Sequence, residues 1–153
     1  MPVLIFYHQS RSGRFTMQTY IKVRGYHLDV YQHVNNARYL EFLEEARWEW
    51  LEDLDAFHWM TQNNIAFIVV NININYRKPA VLGDKLRIDS QMLQLNGKSG
   101  VLSQQVLLEP EGTVVADATL TFVCIDLKTQ RALPIEGALR EHLVALQQKD
   151  QQA

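Results

Sequence analysis

The sequence is short of cysteine, of basic excess and of long apolar runs, and each shortage closes off a class of function. Its one cysteine, Cys124, makes no internal disulfide and no multi-cysteine metal site, so nothing points to a secreted, cross-linked chain. Lys and Arg total 15 against 17 Asp and Glu, a formal charge of −2, which leaves no basic surplus for nucleic acid. The longest apolar run near the N-terminus, Val3 to Tyr7, is too short for a signal peptide or for membrane insertion, and Arg11 and Arg14 follow it rather than precede it. The cytoplasm is the expected compartment. His27, His33 and His58 do not have metal-ligand spacing, and His8 and His142 read as solvated, so no metal and no cofactor is expected. No internal repeat or low-complexity segment is present. What remains is an ordinary globular composition, 47% hydrophobic and 21% charged over 153 residues. A single domain of that size buries roughly 70% of the surface its unfolded chain exposes.

Residues 1–16 show neither strand alternation nor helix period beyond that apolar patch. They read as a loosely held tail ahead of one domain over 17–148, with 149–153 fraying at the far end. From Thr19 to Tyr26, Tyr20, Lys22, Arg24 and Tyr26 alternate with Ile21, Val23 and Gly25, the pattern of a first strand. A polar loop leads into a helix over about 36–53, and a shorter helix falls within Asp55–Asn64 with Asp55 as its cap. Ile65–Tyr76 is rich in β-branched residues, with Ile72, Ile74 and Tyr76 on one face and Asn71, Asn73 and Asn75 on the other. That asparagine row is too polar for a core and suits a subunit boundary or a wetted cleft. Pro79 and Gly83-Asp84 turn the chain into a strand over Lys85–Leu95. Asn96-Gly97 is a type I′ hairpin signal into Lys98–Glu109, and Glu111-Gly112 turns into Thr113–Leu127. In that last strand Ala116, Ala118, Leu120, Phe122 and Cys124 share a face, which makes Cys124 core rather than nucleophile. Leu139, Leu143 and Leu146 give Glu136–Gln148 a helical period. The order is that of an α+β fold: a curved antiparallel sheet of about five strands around a long central helix, with a C-terminal helix.

The stretch from Tyr26 to Leu51 organises the rest, because an irregular polar loop holding Asp29, His33, Asn35 and Asn36 runs directly into the long helix. Taking Leu40 as zero and about 100° per residue, Tyr39, Leu43, Ala46, Trp50, Leu51 and Leu54 share an arc opposite Arg38, Glu41, Glu45, Glu49 and Glu52. Trp48 and Phe42 fall outside the arc, which suggests that a second subunit covers them and that the protein is an oligomer. Arg47 interrupts the arc and is expected to pair with a carboxylate. Asn35 or Asn36 is a good helix cap, so the first free N–H groups of the helix point into the loop that holds Asp29. A loop aspartate often does no more than bond its own backbone. Here it stands beside a ready-made anion site.

DVYQHVNNARYLEFLEEAR, NININYRKPA, LNGKSG and FVCIDLKT, together with the order of elements, resemble the 4-hydroxybenzoyl-CoA thioesterase family of acyl-CoA hydrolases and its hotdog fold. The resemblance runs from Met17 to about Leu146 and is strongest to the long-chain acyl-CoA members. Plant acyl-carrier-protein thioesterases have a similar run, but with Asn two residues after the aspartate where this chain has Tyr31. The resemblance implies hydrolysis of medium- to long-chain fatty acyl-CoA, with Asp29 as the catalytic carboxylate. It also implies the backbone N–H of Asn36 as the donor to the carbonyl oxygen, and a homodimer or homotetramer whose site is shared between subunits.

Cleaving a thioester needs a carboxylate that attacks, giving an acyl-enzyme anhydride, or one that activates water, and both remain open for Asp29. The carbonyl oxygen turns negative in the transition state, and a helix N-terminus supplies N–H donors for it. His33 orients Asp29, donates to the substrate carbonyl or bonds a loop carbonyl, and Asn35 braces the loop. Tyr31 is read as a wall of the acyl pocket. Arg77, Lys78 and Lys98 either meet coenzyme A phosphates or are solvated strand ends. Two other functions compete. A hydratase or dehydratase of the same fold places its His five residues after the Asp in a D-x-N-P-x-H run, whereas His33 is four after Asp29 with no intervening proline. A non-catalytic acyl-CoA-binding module would tolerate the loss of the carboxylate, which this chain retains.

Overall fold

The computed structural model describes residues 7–9, 15–53 and 55–152, with side chains over 17–53 and 55–147. Short strand β1 (Tyr7–Gln9) pairs antiparallel with β2 (Phe15–Lys22), and a 3-10 turn (Gly25–His27) leads through the polar loop into α1 (Asn36–Asp53) and α2 (Ala56–Gln62). Then come β3 (Ile65–Tyr76), β4 (Lys85–Leu95), β5 (Gly100–Glu109), β6 (Thr113–Asp126), the two-residue β7 (Arg131–Ala132) and α3 (Gly137–Gln152). The sheet runs β1-β2-β4-β5-β6-β3, every pair antiparallel, with β7 on β6. Five long strands therefore form one curved sheet around a central helix, which is the hotdog arrangement.

Alternation fixes which face is core. Leu86, Ile88 and Met92 of β4, Leu102 and Val106 of β5, and Ala116, Ala118, Leu120, Phe122 and Cys124 of β6 all bury against the helices. They join Tyr39, Phe42, Leu43, Ala46 and Trp50 of α1 and Leu139, Leu143 and Leu146 of α3 in a single cluster. Gly100 earns its place by close approach: a Cβ there would collide with the Phe122 ring. Gln104, fully buried in β5, is satisfied by donating to Leu43 O at 3.0 Å and Ser90 Oγ at 2.9 Å while accepting from Arg47.

The structure moves several expectations. The first long strand is Phe15–Lys22 rather than Thr19–Tyr26, because Val23 N–H bonds Asp84 O at 2.9 Å and Gly25–His27 curls into the 3-10 turn. Of the tail expected over 1–16, residues 7–9 and 15–16 are described as strand and the rest, with the His8 side chain, lies outside the described residues, as does Leu54. At the other end α3 continues to Gln152, and the side chains of 148–153 lie outside the described residues. The buried stripe of α1 holds Tyr39, Leu43, Ala46, Trp50 and Leu51 of the expected arc and widens to take in Phe42, whose ring is edge-on to His27, while Leu40 is exposed. Phe42 thus needs no second subunit to cover it. The nearest acceptor to Arg47 is not a carboxylate but Gln104 Oε1, at 3.1 Å. Asp55 sits at the N-cap of α2 without a side-chain cap bond. His142 stacks on Trp59 at 4.0 Å instead of standing free in solvent. The β4–β5 turn is closed by Asn96 N–H to Ser99 O at 2.8 Å, with Gly97 outside the left-handed region, so it is not type I′.

Candidate active site

The loop before α1 is held shut by its own backbone. Leu28 and Val34 form an isolated bridge, Asp29 N–H donates to His33 O at 2.8 Å, and Gln32, at φ 62°, donates back to Asp29 O at 3.1 Å. Asn35 N–H reaches His27 O and Val34 N–H reaches Ala80 O, both at 2.9 Å, so residues 27–29 lie against 33–35. His27 anchors the base of this loop: Nδ1 accepts Arg24 N–H at 2.9 Å, and burial, helped by Arg38, pushes its pKa below the usual 6.5. Its ring is neutral.

Within this frame Asp29 does what a loop aspartate does, and keeps something in reserve. Oδ1 accepts Tyr31 N–H at 2.9 Å and, more weakly, His33 N–H at 3.4 Å. Oδ2 has no hydrogen-bond partner among the described residues. His33 therefore meets Asp29 through its backbone, not its imidazole, and Tyr31 is 78% exposed. Asn35 is the helix cap, Oδ1 accepting Ala37 N–H at 3.0 Å, which leaves Asn36 as the first helical residue with its N–H unpartnered among the described residues. Asn36 O accepts the Tyr76 hydroxyl at 3.1 Å, and Tyr76 also lies 5.5 Å ring to ring from Tyr39. Burial pushes the Tyr39 phenol up to about 12, so it stays protonated. The role of Tyr76 was not legible beforehand: alternation gave its face but not its reach across to α1.

The three candidate cations do not gather. Arg77 is taken up by Asp117, Nε to Oδ2 at 2.7 Å and Nη2 to Oδ1 at 3.3 Å, and each partner shifts the other's pKa further toward the charged form. Lys78 is exposed beside it. Lys98 lies on the 96–99 turn, and the register Gly100↔Phe122 with Phe67↔Cys124 puts that turn at the Ile65 end of β3. Arg77 follows the Tyr76 end, roughly 30 Å away along a strand rising about 3.3 Å per residue. Asn71, Asn73 and Asn75 are exposed on the outer face, Asn75 Nδ2 donating to Asp117 Oδ1 at 3.1 Å. Burial raises Cys124 to about 11, too high for a nucleophile. Among the described residues no group of three His, Cys, Asp or Glu side chains could hold a metal ion, and no helix is long and apolar enough to cross a membrane.

A family model described as the thioesterase-like superfamily matches residues 23–143, which spans the loop, both following helices and the whole of the long-strand meander. The chain belongs to that superfamily. It is 77% identical over 127 residues to the long-chain acyl-CoA thioesterase FadM of Escherichia coli, covering 83% of this chain and 96% of that protein. Among solved structures, the probable thioesterase YbaW of Escherichia coli superposes with a TM-score of 0.82 at 75% identity, covering 86% of this chain and 98% of the other. A Staphylococcus aureus protein solved in complex with CoA matches at TM-score 0.79, covering 90% of this chain and 87% of that one; at 14% identity this is a likeness of fold alone.

Proposed function

We propose that this thioesterase hydrolyses medium- to long-chain fatty acyl-CoA to free fatty acid and coenzyme A, with Asp29 as general base or nucleophile and the Asn36 N–H as oxyanion donor. The observation that carries the reading is the division of labour at Asp29: one oxygen is fixed by two backbone N–H groups, and the other has no hydrogen-bond partner among the described residues, in the loop that leads into the first turn of α1. As a base, Oδ2 takes a proton from water while the water oxygen bonds to the carbonyl carbon. The C–S bond then breaks and the proton passes to the leaving thiolate. As a nucleophile, Oδ2 bonds to that carbon, the C–S bond breaks to release the thiolate and leave an anhydride, and water then opens the anhydride to the free acid and the Asp29 carboxylate, its second proton going to the thiolate. In either case the carbonyl oxygen gains charge in front of a helix N-terminus that needs no reorganisation to receive it. The 77% identity to a long-chain acyl-CoA thioesterase supports the substrate class.

The working unit is a homodimer or a tetramer built from dimers. β3 is an edge strand of 12 residues with Val70 56% exposed, a ready template for a second copy. Two-fold antiparallel pairing of these edges brings the Lys98 end of one sheet to the Asp29 end of the other. Arg77, Lys78 and Lys98 could then meet one coenzyme A from two copies. His33, Asn35 and Tyr31 shape the loop and its outer surface. We place the protein in the cytoplasm, where its one buried thiol stays reduced. Thiol release measured across acyl-CoA substrates from acetyl to hexadecanoyl tests the function. Release that rises with chain length is expected, and no release from any of them would reject it.

A further inference from the structure

An N–H group stabilises a developing charge only if the chain around it holds it in place. At the start of α1, Asn35 Oδ1 accepts Ala37 N–H at 3.0 Å and Asn35 O accepts Arg38 N–H at 2.9 Å, which leaves the Asn36 N–H open. Those bonds lie within the loop and the helix themselves. The tie to the sheet comes at the next carbonyl, where Tyr76, the last residue of β3, donates its hydroxyl to Asn36 O at 3.1 Å. Tyr76 is the only side chain that hydrogen-bonds Asn36 among the described residues.

Tyr76 is itself well anchored. Its ring lies 5.5 Å from that of the buried Tyr39 at 57°, and the N–H groups of Arg77 and Lys78 donate to Val115 O of β6 at 2.8 and 3.2 Å. Further on, Ala80 O accepts Val34 N–H at 2.9 Å. The stretch 76–80 therefore grips the chain on either side of Asn35, at Val34 before it and at Asn36 after it. Packing does not demand the hydroxyl: Tyr76 is 46% exposed, so water would satisfy the group, and a phenylalanine would meet Tyr39 equally well.

We propose that Tyr76 is a positioning residue for the reaction, its hydroxyl fixing the first turn of α1 so that the Asn36 N–H meets the carbonyl oxygen as it becomes charged. The inference rests on the proposed hydrolysis at Asn36 and adds to it the group that sets where the donor stands. Tyr76 makes no hydrogen bond to Asp29, so it acts on the oxyanion side of the reaction and not on the carboxylate. Oxyanion donors work over about 2.7–3.1 Å, and removing one costs roughly 10²–10³ in kcat. Loosening the donor without removing it costs less, about tenfold.

The test measures thiol release from hexadecanoyl-CoA, melting temperature and molecular mass for the full-length wild type, Tyr76→Phe, Tyr76→Leu, Asp29→Asn and the Asp29→Asn/Tyr76→Phe double variant. Tyr76→Phe should lower kcat about tenfold, and at least fivefold, with KM within about twofold and melting within about 4 °C of wild type. The double variant should lose a similar factor again from the residual rate of Asp29→Asn, because groups acting independently multiply. Tyr76→Leu also gives up the ring contact with Tyr39, so it should melt lower than Tyr76→Phe while turning over within about threefold of it. A smaller loss than fivefold in folded Tyr76→Phe, or a loss carried by KM alone, would overturn the proposal. So would a double variant no slower than Asp29→Asn, which would place Tyr76 behind the carboxylate. Activity that follows melting temperature across the two Tyr76 variants would make the residue a structural brace, and a reduced mass in Tyr76→Phe would trace the loss to the pairing of copies; either result overturns the positioning role. Failure of the wild type to release thiol would instead reject the hydrolase reading on which the inference depends.

Discussion

Replacing Asp29 by Asn separates chemistry from architecture at this site. Asn keeps an oxygen where Oδ1 accepts Tyr31 and His33 N–H at 2.9 and 3.4 Å, so the loop loses only the charge-assisted part of two bonds. That costs about 1 kcal/mol at most, a shift of roughly 2–4 °C in melting temperature for a domain of this size. What disappears is the open oxygen, Oδ2, replaced by an amide that neither takes a proton nor attacks a carbonyl. A positioned acid-base group contributes about 10²–10⁴ in rate, or roughly 3–5 kcal/mol of barrier. kcat should therefore fall at least a hundredfold in a protein that melts almost normally. Asp29→Ala should lose the same activity but melt lower than Asn, since it also strands two N–H groups. Residual hydrolysis is expected in both, because the Asn36 N–H survives. Thiol release, affinity for a non-hydrolysable thioether analogue and melting temperature together distinguish the cases. If folded Asp29→Asn retained more than a tenth of wild-type kcat, Asp29 would be a loop brace only, and Glu44, exposed on α1, would be the next carboxylate to remove.

Four further outcomes follow from the same structure. His27 is buried and neutral with a pKa held below 6.5, so the unfolded state binds the extra proton; stability is present above that value and lost as pH falls through it toward the lower native value. The melting temperature should drop between pH 7.5 and 5, and by less in His27→Gln; an equal drop in both would refute this. Gly100→Ala drives a methyl into the Phe122 ring and should cost about 1–3 kcal/mol by denaturant titration, whereas an unchanged midpoint would mean the ring moves freely. Ile68→Lys with Val70→Lys on the β3 edge should give a monomer by light scattering, and an undiminished oligomer mass would place the interface elsewhere. Lys78→Glu and Lys98→Glu should raise KM for acyl-CoA with kcat little changed, an effect that shrinks with salt; Arg77→Glu must be compared with Asp117→Asn, because it also breaks their ion pair.

β3 and β4 were legible to the residue because their signals are local: β-branched alternation through Ile72, Ile74 and Tyr76, and Pro79 with Gly83-Asp84 bounding the turn. Gly83 takes φ +86°, a conformation only glycine adopts at little cost. β2 was misplaced by four residues at each end, since the alternation of Tyr20, Lys22, Arg24 and Tyr26 continues into a segment whose shape is set by tertiary bonds, Val23 to Asp84 and Arg24 N–H to the His27 ring. No local pattern encodes those. Beside Asp29, the cap and the helix start were legible, with the cap role falling to Asn35. The dispersal of Arg77, Lys78 and Lys98 to opposite ends of the sheet was not, because it depends on strand register across β5, β6 and β3.

The apolar residues of α1 outnumber those its own core buries. Tyr39, Leu43, Ala46, Trp50 and Leu51 bury as the periodicity predicts and Phe42 joins them, while Leu40 and Trp48 stay exposed. A helix that served its own core alone would present polar residues outside that stripe, as α1 does at Glu41, Glu45 and Glu52. Leu40 and Trp48 break the rule on one flank of the helix. α1 therefore has a second apolar surface beyond the one its own core fills. Periodicity finds the first surface and leaves Trp48 outside it, but it does not say what covers the second, because it counts apolar residues without knowing their neighbours.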